Sequence, residues 1–259
     1  MSLSPAGPRV GLFVTCLVDM FRPAVGLAAA RLLEEAGCTV EVPLVQNCCG
    51  QPAHHAGELD EVRDTARQTI ETFEAYDYVV APSSACAGML KSNYPDLFAG
   101  DTLWAPRSEA FAAKVHELVA FLTEVMKVDR IAAVHEGTVT YHLSCCDAAE
   151  AGANRDPERL LAAMPGLELK AMRGSRGPCG CCGSSRAMPR AMTNALAERK
   201  VEAIEASGAT LVLGNDLGCM MGLAGRLKRK GSHVTARHIA EVLAGMTDEP
   251  PIGRARRAA

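Results

Sequence analysis

Short apolar runs alternate along this chain with stripes at helical spacing. Residues 10–15 read as an apolar strand that ends at Cys16. Over residues 22–36, Val25, Leu27, Ala28, Leu32 and Leu33 share a helical face, and Gly37 fits the stop. Residues 39–45 alternate like a strand and lead into a glycine-bounded loop with Cys48 and Cys49. Residues 58–75 read as a helix with a polar face. Residues 78–81 read as a strand, after which Pro82, Ser83 and Ser84 turn the chain toward Cys86. Residues 108–127 place Phe111, Val115, Leu118, Val119 and Leu122 on one face, which predicts another helix.

The second half repeats this order. A strand is predicted at 138–142, a helix at 157–164 and a strand at 167–172, followed by a cysteine- and glycine-rich loop at 177–183. A long helix at 189–207 stops at Gly208, and a strand at 210–214 leads through Gly218 and Cys219 into a helix ending at Lys230. Residues 234–243 close the copy. Strand and helix in repeated alternation predict an α/β fold of two similar Rossmann-like halves. Each half is expected to hold a mainly parallel sheet, with the halves related by a pseudo-twofold. The first repeat is expected at 8–127, the second at 137–246, and a flexible tail at 247–259.

With 48% hydrophobic and 22% charged residues, the composition is that of an ordinary globular protein, and 259 residues suffice to bury a core without disulfides. A net charge of −3 gives no reason to expect nucleic acid or anionic lipid. The basic run Arg226 to Lys230 reads as a solvated helix end. No stretch is long and apolar enough to span a bilayer, and the apolar run near the N-terminus lacks the flanks of a signal peptide. A cytoplasmic protein is therefore expected, with membrane association only through partners. In that reducing compartment eleven cysteines serve metals or catalysis more readily than disulfides.

The cysteines are themselves repeated. Cys16, the pair Cys48 and Cys49, and Cys86 form one set; Cys145, the pair Cys181 and Cys182, and Cys219 form another. The interval from Cys48 to Cys181 equals that from Cys86 to Cys219, and the interval from Cys16 to Cys145 is only slightly shorter, so one short insertion separates the copies. Each pair is followed by glycine, Gly50 or Gly183. Every set falls after strands, where loops of a parallel sheet converge. Four thiolates can hold zinc or an iron–sulfur cluster. Paired Cys-x-x-Cys knuckles are absent, and adjacent thiolates suit the separate iron corners of a cluster better than one small ion. Backbone amides of Gly50, Gly183 and Gly218 are candidate donors to cluster sulfur. The second copy has two further thiols, Cys146 and Cys179, as candidate additional ligands.

These motifs resemble the CCG-domain (cysteine-rich) iron–sulfur proteins over nearly the whole chain. The matching segments are Phe13-Val14-Thr15-Cys16, Asn47-Cys48-Cys49-Gly50-Gln51-Pro52, Ser84-Ala85-Cys86, Tyr141-His142-Leu143-Ser144-Cys145, Cys181-Cys182-Gly183 and the run from His238 to Leu243. That superfamily includes the catalytic subunit of heterodisulfide reductase and the iron–sulfur subunits of glycolate and glycerol-3-phosphate dehydrogenases. The resemblance implies an electron-transfer subunit working with other subunits of an oxidoreductase complex, with L-lactate oxidation as the expected reaction. It implies one or two clusters per chain. The fullest superfamily motif ends in Cys-x-x-Cys, but here Met89 and Gly222 take the last position. Four thiols per set favour an ordinary [4Fe–4S] cluster. Alternatives are a catalytic subunit acting on thiol or disulfide at the cluster, and a zinc-stabilised interaction module. No nucleotide or flavin fingerprint is present.

Other residues carry plainer readings. Cys38 at a helix-to-strand junction reads as core. His54 and His55 read as solvent-facing loop residues, His116 and His238 as residues orienting helices, and His142 as a backbone-bonding neighbour of the Cys145 loop. Met89, Met220 and Met221 read as apolar packing, and Asp147 and Asp216 as helix caps.

Overall fold

The computed structural model describes residues 7–144, 156–173, 179–180 and 188–255. The chain divides into two compact units, one ending at Val128 and the other beginning at Asp129.

In the first unit, four short strands form one parallel sheet: β1 (Arg9–Leu12), β2 (Thr39–Glu41), β3 (Tyr78–Ala81) and β4 (Val115–Glu117), in the order β2-β1-β3-β4. The central strands β1 and β3 are apolar because both of their faces are covered. Helices α1 (Cys16–Phe21) and α2 (Pro23–Glu35) connect β1 to β2, and α3 (Gln51–Ala56) and α4 (Leu59–Phe73) connect β2 to β3. Val62, Ala66, Thr69, Ile70 and Phe73 give α4 its buried stripe, which packs with Phe13, Val79 and Tyr94 in the unit's core. After β3 comes one continuous helix: α5 (Ser84–Gly88), a π turn (Met89–Asn93) and α6 (Tyr94–Leu97). Pro95 has no N–H to continue the α ladder, which accounts for a wider turn just before it. Then follow α7 (Trp104–Ala112), β4 and α8 (Leu118–Ala120).

Two sequence expectations change. The helix expected over 108–127 is interrupted by β4. Val115 recurs at helical spacing but pairs with Val79 at the sheet edge, and Lys114 Nζ caps the carbonyls of Phe73, Glu74 and Tyr76 at 2.6–3.0 Å. The strand expected over 39–45 stops at Glu41, since Pro43 cannot donate to a ladder. Val42, Leu44 and Val45, which follow it, are left exposed.

The second unit repeats the plan with β5 (Gly137–Tyr141), α9 (Asp156–Ala162), β6 (Leu167–Leu169), α10 (Arg190–Ala206), β7 (Leu211–Gly214), α11 (Leu217–Arg229), β8 (Thr235–His238) and α12 (Ile239–Leu243). Its parallel sheet runs β6-β5-β7-β8. Beyond the second repeat, Ile252 is buried and donates its N–H to Ala236 O at 2.8 Å.

In both sheets the chain reverses its direction of winding beside the first strand of the unit. The crevice at the carboxyl ends of β1 and β3, or of β5 and β7, is the switch point where open α/β sheets bind ligands.

Candidate metal centre

Each first-unit thiol is delivered from a strand end. Past β1, Phe13 N–H donates to Val80 O at 2.9 Å, and the Thr15 hydroxyl accepts from Val18 N–H at 3.4 Å. This cap makes Cys16 the first residue of α1. Past β3, Ser83 Oγ accepts from Cys86 N–H at 3.2 Å and holds Cys86 in the first turn of α5.

The loop after β2 brings Cys48 and Cys49 to the same crevice. Gln46 fixes it: Oε1 accepts from Val14 N–H at 2.9 Å, while Nε2 donates to Leu12 O at 3.1 Å and Pro43 O at 2.9 Å. Gly50 then turns the chain into α3 at φ +83°, a conformation that costs any residue with a Cβ. Cys49 is buried in the unit's core, and the fully buried Tyr94 hydroxyl donates to its carbonyl at 3.1 Å. Tyr94 N–H bonds Met89 O across the π turn. One continuous helix thus places Cys86 at its start and braces Cys49 from its far end.

The four sulfurs form a chain. Cys16 Sγ donates to Cys48 Sγ at 3.6 Å, and Cys49 Sγ donates to Cys86 Sγ at 3.4 Å. Cys48 is held far below the ordinary thiol range by hydrogen bonds from the Cys16 and Cys49 thiols, with the Gly50 and Cys49 backbone N–H groups adding to them. The Cys16 thiol is pushed far up by its hydrogen bond to Cys48, then by burial and the neighbouring Cys48 and Cys86 charges. Cys49 is raised by its bonds to Cys48 and Cys86 and then by burial. Cys48 is thus the thiol that these contacts favour as thiolate, while those of Cys16 and Cys49 are disfavoured. Ligation exchanges thiol protons for metal, which is the chemistry this donor set fits.

Cys38 stands apart as expected: it is buried just after α2, its thiol is raised by burial alone, and it belongs to neither sulfur pair. Met89 packs in the unit's core. His116 sits edge-on to Tyr78 and against Phe121, and burial lowers its affinity for a proton. His54 and His55 lie in α3 rather than in a loop, with His54 Nε2 3.4 Å from Asn93 Nδ2.

In the second unit, Cys145, Cys146, Asp147, Cys181, Cys182 and Gly183 lie outside the described residues. Cys219 is placed as Cys86 is: Asp216 Oδ1 accepts its N–H at 2.9 Å, which fixes it in the first turn of α11 next to Gly218. Asp216 is thus a cap, as its position predicts. Cys179 Sγ lies 3.8 Å from Cys219 Sγ. His238 caps α12 by accepting from Ala240 N–H at 3.2 Å, and Glu241 returns the bond to His238 N–H at 3.1 Å.

Gln46 and Tyr94 are functional residues that the sequence reading misses. Gln46 carries a signal, since it precedes Cys179 by the same interval that separates Cys48 from Cys181 and so occupies the same place in the repeat. Tyr94 carries none, because its role depends on the π turn.

A family model described as "CCG: Cysteine-rich domain" matches residues 10–91 and again 139–224. Over 235 residues the chain is 43% identical to lactate utilization protein A of Shouchella clausii, covering 91% of this chain and 98% of that protein. It is 39% identical to the protein of that name from Bacillus subtilis, with the same coverage. Among solved structures, an arylmalonate decarboxylase variant aligns with 93% of this chain and 91% of its own at 17% identity. Its TM-score of 0.27 is too low to bear on fold or function.

Proposed function

The chain belongs to the cysteine-rich CCG-domain family, and from that premise we propose that it is an iron–sulfur electron-transfer subunit of a multi-protein oxidoreductase serving lactate utilisation. Its first unit is the proposed cluster site, with Cys16, Cys48, Cys49 and Cys86 as ligands. The observation that carries this reading is the shape of the quartet. The four sulfurs converge at the switch point, yet no three of them lie within 4.8 Å of one another. A single tetrahedral ion needs all its thiolates closer than that, whereas a cluster offers separate iron atoms along its edge. A [4Fe–4S] cluster bound there would supply one-electron chemistry.

The protein's own groups have defined tasks in this proposal. Cys49 and its carbonyl are fixed by Tyr94, and Cys16 and Cys86 by their helix caps. The Gly50 and Cys49 N–H groups donate to Cys48 sulfur, an interaction that raises the potential of a thiolate-bound centre. The relatives' name points to lactate as the source of electrons, and partner subunits supply what this chain lacks. No helix among the described residues is long and apolar enough to cross a membrane.

Anaerobic purification of the full chain tests the proposal. A brown protein with about four irons and as many acid-labile sulfides in its first unit is expected. A colourless protein whose first quartet holds only zinc overturns it.

A further inference from the structure

Among the described residues, the second unit's crevice gathers donors that differ from the first's. His142 follows β5, and its N–H extends the pairing of that strand by donating to Leu213 O at 2.7 Å. Its ring therefore stands at the carboxyl end of the sheet, beside the turn that Asp216 and Cys219 make after β7. Cys179 arrives from the loop after β6. The donor atoms of His142, Cys179 and Cys219 all lie within 4.8 Å of one another, and it is the one such group of three among the described residues. All three side chains are buried, each no more than 1% exposed.

The backbone around them is built to hold this arrangement. Gly180 has φ +65°, and a Cβ there would fall 2.2 Å from Thr193 O, so the loop can lie against α10 only because this residue has no side chain. Cys179 is thereby seated one residue away. At the end of β7, a Cβ on Gly214 would lie 3.4 Å from His142 O and 2.6 Å from Met220 Sδ, so the strand end carrying His142 also passes close by.

Two thiolates on one tetrahedral ion at about 2.3 Å stand about 3.8 Å apart. The Cys179 and Cys219 sulfurs are separated by 3.8 Å. We propose that His142, Cys179 and Cys219 bind a single borderline divalent metal ion of the zinc class, making the second unit a mixed nitrogen–sulfur centre rather than a copy of the first. In the first unit, the residues at the repeat positions of His142 and Cys179 are Phe13 and Gln46, neither of which is a soft ligand. This inference does not depend on a cluster in the first unit.

The test uses the intact chain, stripped of metal anaerobically and titrated with cobalt(II) and zinc(II). One tight ion per chain is expected, with a thiolate-to-cobalt charge-transfer band. His142→Gln and Cys179→Ser should each weaken cobalt binding at least tenfold, while Cys16→Ser leaves the band intact and instead lowers the iron of the anaerobically purified protein before stripping. A zinc-edge absorption spectrum of the unmutated chain guards against variants that fail to fold. It should show one imidazole nitrogen at about 2.0–2.1 Å and at least two sulfurs at about 2.3 Å. An all-sulfur shell overturns the proposal. So does cobalt binding that follows Cys16 rather than Cys179, or iron in the second unit that disappears with Cys179→Ser.

Discussion

Ser83 and Asp216 hold equivalent places in the repeat and do the same work, each accepting the N–H of a cysteine three residues on. Gln46 and Cys179 are equivalent by the same spacing and do different work. The amide of Gln46 ties its loop to the end of β1 through two backbone groups, Leu12 O and Val14 N–H, and to itself through Pro43 O, whereas Cys179 presents sulfur to Cys219. The two units thus share the parts set by the sheet, the strand ends and the caps of the helices that follow. They differ in the loop after the edge strand, where no ladder dictates the residue, and just past the first strand, where one unit has Phe13 and the other His142. The scaffold fixes where donor side chains gather, and these variable positions fix which donors they are.

The strongest way to break this comparison is at the thiols. Cys49→Ser should remove most of the first unit's iron, because the buried sulfur lies between Cys48 and Cys86. Cys38→Ser should leave iron unchanged, and equal iron in both variants, measured by chemical assay, would remove the ligand assignment. The loop glycines come next. Gly180→Ala should cost about 3 kcal/mol or more, because left-handed strain is joined by a backbone clash; Gly50→Ala should cost about 1–2 kcal/mol, from strain alone. At Gly50 the nearest atom to an added Cβ is Val62 Cγ1 at 3.4 Å. Thermal melts of the two variants should fall in that order, and the reverse order would show that the second loop is not held as described.

Smaller effects sharpen the contrast. Tyr94→Phe keeps the ring in the core and loses the bond to Cys49 O, so it should cost about 1 kcal/mol and loosen iron retention in the first unit only. A competing chelator reads this as faster iron loss. The caps should respond alike: Ser83→Ala and Asp216→Ala are each expected to cost about 1 kcal/mol, seen as a drop in melting temperature of about 2–4 °C. A large difference between them would mean that one cap does more than close its helix.

Much of this is legible in the order of residues. The thiols sit at strand ends because short apolar runs precede Cys16, Cys86 and Cys219, and the intervals between copies reveal the repeat. The edge strand β4 is hidden because Val115 also fits a helical stripe, and only its pairing with Val79 decides between the two. Tyr94 is hidden because the wide turn ahead of Pro95 sets its position relative to Cys49. His142 reads as a backbone-bonding residue, and its N–H does bond Leu213 O. Nothing in the linear order shows that its ring shares a crevice with the sulfurs of Cys179 and Cys219, both far along the chain.

The first-unit sulfurs come from three strand ends, with contacts that span 32 residues in one case and 37 in the other. A peptide cut to the adjacent pair would have two thiols and nothing to close around. Occupancy at this place is therefore a readout of tertiary assembly. Stripping the metal should loosen β1 and β3 together, as a single cooperative step visible in amide exchange, rather than fray one loop.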